Sequence, residues 1–243
     1  MIIFAPSYKR SGGVLTHLIL PDVVYVVHQF EVDEYIDKGF NVIAIPDSLK
    51  GNIARVRNWL KRYGEDKGGD FCIIDDDIKA FTYWSYQTQE KLMGDRLMEH
   101  IESMFDVAKQ WGVTVFGVNP AIDKGSYREY TPFGTTSYVS GSFNGFINCP
   151  YYFDESMPLK EDYDFTLQVC NGDRAFLRFN QYGLSKDDHG NLGGCANYRT
   201  IEREKQQLAL LQRKWGKKIV RQDTNSKQQY DINPIIKVPI RGV

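Results

Sequence analysis

Residues 70–77 run an apolar stretch, Phe71 to Ile74, straight into three carboxylates, Asp75, Asp76 and Asp77. A short continuous apolar run is what a strand buried on both faces shows. Charge that abrupt puts the end of the strand at a cleft. In an open α/β sheet, ligands bind in the crevice outside the carboxyl ends of the strands. Side chains alternate along extended backbone, so Asp75 and Asp77 can share one face. Like charges so placed repel unless a cation stands between them. An all-oxygen site suits a hard cation, Mg²⁺ or Mn²⁺, with coordination positions left for substrate phosphates. A solvated acidic turn is the plainer alternative, because Asp is common where strands end.

The rest of the chain alternates strand with helix. Apolar runs predict strands near 1–5, 23–28, 41–46, 70–75, 113–118, 138–147 and 174–180. Helical spacing appears over 52–63 (Ile53, Val56, Trp59, Leu60) and 88–111 (Met93, Leu97, Ile101, Met104, Ala108, Trp111). Further helices are expected over 158–171 and 200–216. Such alternation predicts an α/β fold with a mainly parallel central sheet flanked by helices. No repeat or linker divides the 243 residues, so one domain is expected, with a tail from about 219. The polar segments 121–137 and 181–199 read as functional loops.

Several classes drop out. The hydrophobic content of 42% excludes disorder. No stretch approaches the ~20 apolar residues of a membrane helix, so no membrane partner is expected. The start, Met-Ile-Ile-Phe-Ala-Pro, lacks a basic region and reads as a strand rather than a signal peptide. Cys72, Cys149, Cys170 and Cys195 are widely spaced with no Cys-x-x-Cys pair, which points away from zinc and disulfides and toward the cytoplasm. The formal net charge is −1, yet residues 201–243 hold ten Lys or Arg against four Asp or Glu, with Arg213, Lys214, Lys217, Lys218 and Arg221 grouped. That cluster is either a solvated helix face or a surface for backbone phosphates.

Other loops hold candidate chemistry. After the first strand come Ser7, Tyr8, Lys9, Arg10, Ser11, Gly12 and Gly13, which fit neither a P-loop nor a Gly-x-Gly-x-x-Gly fingerprint. Arg55 and Arg57 stand near a helix start, where they can meet an anion, or make surface ion pairs. Glu161, Asp162 and Asp164 fall within four positions, more than the dipole of a first helical turn needs, so one could act as a general base. His17, His28 and His100 read as structural, whereas His189, in a Gly-rich polar loop, could be a third metal ligand. A dehalogenase-type phosphohydrolase, which needs Asp-x-Asp-x-Thr or Val, fits poorly with Ile78-Lys79-Ala80 after Asp77.

Taken in order, Pro6-Ser7-Tyr8-Lys9-Arg10, Glu31 with Tyr35, Arg57-Asn58-Trp59, Ile74-Asp75-Asp76-Asp77-Ile78, Glu161-Asp162-Tyr163-Asp164 and Gly193-Gly194 resemble a GT-A fold glycosyltransferase. More narrowly the chain resembles the TET/JBP-associated glycosyltransferases of bacteriophages. The resemblance implies a Rossmann-like nucleotide-sugar-binding fold over 1–218, with a nucleotide-binding half (1–80), an acceptor half (81–218) and a C-terminal tail (219–243). It implies a UDP-sugar donor, with Ser7, Arg10, Glu31, Arg57 and Asp76 around the nucleotide. Asp75 and Asp77, with His189, would hold Mn²⁺ or Mg²⁺. Asp162 would be the base, with Glu161 or Asp164 steering sugar or acceptor, in an inverting or a retaining reaction. The implied partner is double-stranded DNA carrying a hydroxymethylated pyrimidine, such as 5-hydroxymethylcytosine, in the host cytoplasm. A glycan or small-molecule acceptor, or a non-catalytic glycosyltransferase-like binding module, are the alternatives.

Overall fold

Four parallel strands, β1 (Ile2–Pro6), β2 (Val24–His28), β3 (Asn41–Ile45) and β4 (Phe71–Ile74), form one half of a ten-stranded sheet in the order β3-β2-β1-β4. The computed structural model describes residues 1–85, 88–120, 127, 129–186, 194, 198–223 and 232–238. The other half holds β5 (Ile78–Ser85), β6 (Thr88–Leu92), β7 (Val115–Asn119), β8 (Phe133–Gly134), β9 (Phe143–Phe146) and β10 (Leu177–Lys186). From β4 the order continues β9-β7-β10-β5-β6, with β8 on β10. Here the β7–β10 pair is parallel and its neighbours antiparallel. Every strand of the parallel half ends at one edge, which is where Asp75 to Asp77 emerge.

Among the described residues, the α-helices α1 (Val32–Ile36), α2 (Ile53–Asp66), α3 (Gly94–Gln110), α4 (Glu161–Gly172) and α5 (Ile201–Trp215) flank the sheet. Helix α3 buries Leu97, Ile101, Met104 and Ala108 against one face, among Phe116, Phe143 and Leu177. On the other face, Val56 and Leu60 of α2 and Phe165 and Val169 of α4 pack on Phe71 and Phe146. Asn52 caps α2 by accepting from the backbone N–H of Ala54 (3.0 Å), and its side-chain amide donates to Glu155 O (2.8 Å).

The strands expected from the sequence are present. The segment 88–111 is different: its first residues are a strand, and the helix begins at Gly94. β6 pairs antiparallel with β5, matching Phe81 with Leu92. Met93, which had seemed to open the apolar stripe, is 58% exposed.

The C-terminal region docks through α5. Thr200 caps that helix by accepting from Arg203 N–H (3.2 Å), and Gly216 ends it with φ +89°. Leu208 and Leu211 pack with Met157, Leu167 and Val220. β11 (Val220–Gln222) and β12 (Pro234–Ile236) pair as a small antiparallel ribbon. Among the described residues, no helix is long and apolar enough to cross a membrane.

One buried ion pair locks α5 to the start of α4. Lys160, 1% exposed, donates to Glu204, 0% exposed. Removing one member of such a pair strands a buried charge. Glu204→Ala should therefore cost about 3–5 kcal/mol, read as a lower urea midpoint. Lys160→Met combined with Glu204→Leu should recover most of it. A double variant no more stable than Glu204→Ala would show that the pair is not the cause.

Candidate active site

A cavity of about 450 Å³ opens where β1, β2, β3 and β4 end. The loop after β1 and the start of α2 form one wall, and residues 138–142 with the start of α4 form the opposite one. Lys186, the last residue of β10, and Arg199 close it further along.

The acidic turn is held by Thr16, whose hydroxyl donates to Asp75 O (2.6 Å) and accepts from Ile78 N–H (3.1 Å). Asp76 O accepts from Leu15 N–H (2.8 Å), and Asp75 N–H donates to Ser142 O (3.0 Å). The backbone is thus fixed from both halves of the sheet. The side chains then divide among three cations. Asp76, 4% exposed, accepts from Arg10 (3.1 Å) and from Ser7, whose hydroxyl also meets Tyr35 Oη (2.7 Å). Asp77 accepts from Arg10 at 3.2 Å. Asp75 receives Lys186 on one oxygen and lies 3.7 Å from Arg57 on the other. Burial would raise the Asp75 carboxyl, but Lys186 and Arg57 outweigh it and hold it below its usual range. At Asp77 burial, then the Asp75 charge, outweigh Lys186 and Arg10 and push the carboxyl up to about 6. Its Oδ1 is buried without a hydrogen-bond partner among the described residues.

Arg57 joins the two walls. Buried at 5% exposure, it donates to Glu161 Oε1 (2.7 Å) and to Gly141 O (2.9 Å). A Cβ on Gly141 would lie 2.3 Å from its guanidinium, so only glycine admits this approach. Gly194 similarly takes φ +55° beside Arg10, and its N–H donates to Tyr8 O (3.1 Å). At the opposite wall Asp162 accepts from the Tyr138 hydroxyl and, at 3.3 Å, from Gly141 N–H. The Tyr138 and Tyr163 rings stack with centroids 4.1 Å apart and planes 8° from parallel.

Ser7, Arg10, Arg57, Asp75, Asp76, Asp77, Glu161 and Asp162, all expected from the sequence, meet in this cavity. Glu31 does not line it; one of its carboxylate oxygens accepts from Lys9 N–H, supporting the positive φ (56°) there. Asp164 is turned away from the cavity, fully buried against α5, where it accepts from Trp215 Nε1 (2.7 Å) and Lys214 (2.9 Å). That contact pairs the charge of Lys214, which stays exposed along with Arg213, Lys217, Lys218 and Arg221. His189 and Gly193 lie outside the described residues. His28 lines the cavity at the end of β2, although it had read as structural. Lys186 and Tyr138 are the additions that the sequence did not single out.

The acidic turn fits a hard divalent cation. Asp77 offers a buried oxygen without a hydrogen-bond donor among the described residues, and burial with the neighbouring Asp75 charge is what raises its carboxyl. Among the described residues no three His, Cys, Asp or Glu side chains converge as a metal cage. Mg²⁺-type sites need only one or two carboxylates, the rest being waters and substrate phosphates.

The sequence model of the TET-associated glycosyltransferase family matches residues 1–194. Among solved structures, a crystal structure of S. aureus TarS 1–349 aligns at 14% identity and TM-score 0.45, over 75% of this chain and 60% of that one. TarS 1–349 in complex with UDP aligns at 13% identity and TM-score 0.45, over 90% and 73%. The chain thus spans 60% of the first of these. No curated protein matches.

Glu161 has a testable titration. Burial, with the neighbouring Asp162 charge, pushes its carboxyl up to about 8 against the pull of Arg57. Folding then takes up a proton at Glu161 between its ordinary value of 4.5 and about 8. This contribution to stability is complete below 4.5 and is lost as pH rises toward 8. Relative to Glu161→Gln, the wild-type chain should lose stability over that range by up to about 1.4 kcal/mol per pH unit. Urea midpoints at several pH values check this; parallel curves for the two proteins would refute it.

Proposed function

Because the chain belongs to the TET-associated glycosyltransferase family, we propose that it transfers a sugar from a nucleotide-sugar donor, UDP-linked, to the hydroxymethyl group of a modified pyrimidine in DNA. The observation that carries this reading is the convergence, in one cavity, of a cation-lined acidic turn with Asp162 on the opposite wall. Residues 1–80 supply the donor side and 81–218 the acceptor side, with 219–243 as an appended segment.

Ser7, Tyr8 and His28 line the part of the cavity at the ends of β1 and β2, and the nucleoside would lie against them. Arg10 and Arg57 face the diphosphate. Asp75 and Asp77 would hold Mn²⁺ or Mg²⁺, with His189 as a further candidate ligand, and the bound cation supplies Lewis acidity to the departing diphosphate. Asp162 takes the proton of the acceptor hydroxyl as that oxygen bonds to the sugar's anomeric carbon and the diphosphate leaves. Tyr138 and the Gly141 N–H orient the Asp162 carboxylate for this. Glu161 positions Arg57.

The acceptor side supports a base. Tyr138 and Tyr163 present a stacked aromatic surface beside Asp162, and stacking is how extruded bases are held. Phosphate contacts fall to Arg213, Lys217, Lys218 and Arg221. A glycan or small-molecule acceptor is the second reading, favoured by the commitment of Lys214 to Asp154 (2.8 Å) and Asp164, which thins that surface.

Release of nucleoside diphosphate from a panel of UDP-sugars, with Mn²⁺ or EDTA, with and without 5-hydroxymethylcytosine DNA, separates these readings. Release that needs both metal and modified DNA is the expected result. Metal-dependent hydrolysis indifferent to DNA would move the acceptor to glycans or small molecules. No release from any donor would favour a binding module.

Two substitutions divide the roles. Asp162→Asn should leave donor binding intact and lower transfer by about 10²- to 10⁴-fold; full activity would remove it as base. Asp77→Ala should abolish the metal dependence of UDP binding, followed by calorimetry with and without EDTA.

A further inference from the structure

Charge is unevenly shared in the acidic turn. Asp75 has two cations beside it, Lys186 and Arg57, while Asp77 keeps a buried oxygen without a hydrogen-bond donor among the described residues. Of these two, Arg57 also holds Glu161, so Lys186 is the less committed cation. It is 31% exposed and Asp75 is 24% exposed, so the pair stands at the cavity wall rather than inside the core.

The backbone aims Lys186 there. Along β10 and β5 the register runs regularly from Tyr182 opposite Tyr83 to Ser185 opposite Ala80, then shifts so that Lys186 faces Ile78. A bulge of this kind bends the strand and redirects a side chain, and bulges collect beside active sites. Without the shift, Lys186 would pair one residue further from the acidic turn. With it, the backbone of Lys186 stands opposite Ile78, the residue that follows Asp77, and the ammonium meets Asp75.

Resting on the donor and metal reading above, we propose that Lys186 is an exchangeable counter-ion. In the donor-free protein it neutralises Asp75. When the donor enters with its divalent cation, the cation takes Asp75 together with Asp77, and Lys186 turns to the donor's diphosphate. Ammonium and divalent cation compete for one carboxylate, and the diphosphate settles the competition. Three groups face Lys186 in this exchange: Asp75, Asp77 and Arg57. Arg57 repels it, which favours its departure once an anion is present.

Lys186→Met tests this with two binding measurements that need no turnover. Free Mn²⁺, followed by electron paramagnetic resonance without nucleotide, should show tighter binding to the variant, on the order of tenfold. UDP binding at saturating Mn²⁺, by calorimetry, should weaken on the order of tenfold. Lys186→Arg keeps the charge and should hold Mn²⁺ as weakly as wild type, which separates charge from damage to the fold. Unchanged or weaker Mn²⁺ binding in Lys186→Met, with wild-type thermal unfolding, would overturn the competition. Unchanged UDP affinity would overturn the transfer to phosphate. A wild-type protein that binds Mn²⁺ but no UDP would defeat the donor reading instead, while the Mn²⁺ comparison still decides whether Lys186 competes.

Discussion

The fold is organised around the neutralisation of Asp75, Asp76 and Asp77 by Arg10, Arg57 and Lys186. Like charges about 4 Å apart repel by about 4 kcal/mol at the effective dielectric of a partly buried site. Three carboxylates on successive residues could not be left in this position alone. Their cations come from three places: the loop after β1, helix α2, and the end of β10. The turn therefore holds its shape only when the parallel and mixed halves of the sheet are both assembled. Thr16 and Ser142 bind its backbone from the same two sides. Electrostatics and hydrogen bonding make one demand, that the strand end stay where the halves meet.

Arg57 extends this dependence to the wall formed by residues 138–142 and the start of α4. Its contacts with Asp75, Gly141 O and Glu161 place one rigid, planar cation between the turn and the first residue of α4. Glycine at 141 is the steric condition for that placement. Asp162 follows Glu161 and also binds the Gly141 N–H, so the candidate base is oriented by the same few residues that neutralise the turn. Behind them, Lys160 to Glu204 and Asp164 to Trp215 fasten α4 onto α5. A family of short contacts thus runs from the acidic turn to the back of α4.

The strands and the acidic turn were legible because both are local signals: an apolar run, then charge. The same logic applied to β2 would have found His28, which stands at the end of its strand as Asp75 does. Asp164 was misleading for a physical reason. Three acids in a first helical turn look alike in sequence, and what separates Asp164 is Trp215, 51 positions away on another helix. Lys186 and Tyr138 were hidden likewise. The place of one depends on a register shift against β5, that of the other on a ring stacked against Tyr163. At 88–92 the helical count continued through residues whose pairing with β5 decides the matter. Periodicity cannot register a partner strand.

The charge balance also constrains what can enter the cavity. With three carboxylates already matched by three cations, the donor-free site is close to neutral. A diphosphate arriving alone would have to draw Arg10, Arg57 or Lys186 from its carboxylate, leaving buried negative charge uncompensated, which is costly. A diphosphate arriving with a divalent cation brings nearly equal and opposite charge, so the balance survives the exchange of partners. On the proposed reading, the preference for donor and metal together follows from the protein's own ion pairs. Selectivity would then lie in the total charge of the cavity rather than in a preformed cage around the metal.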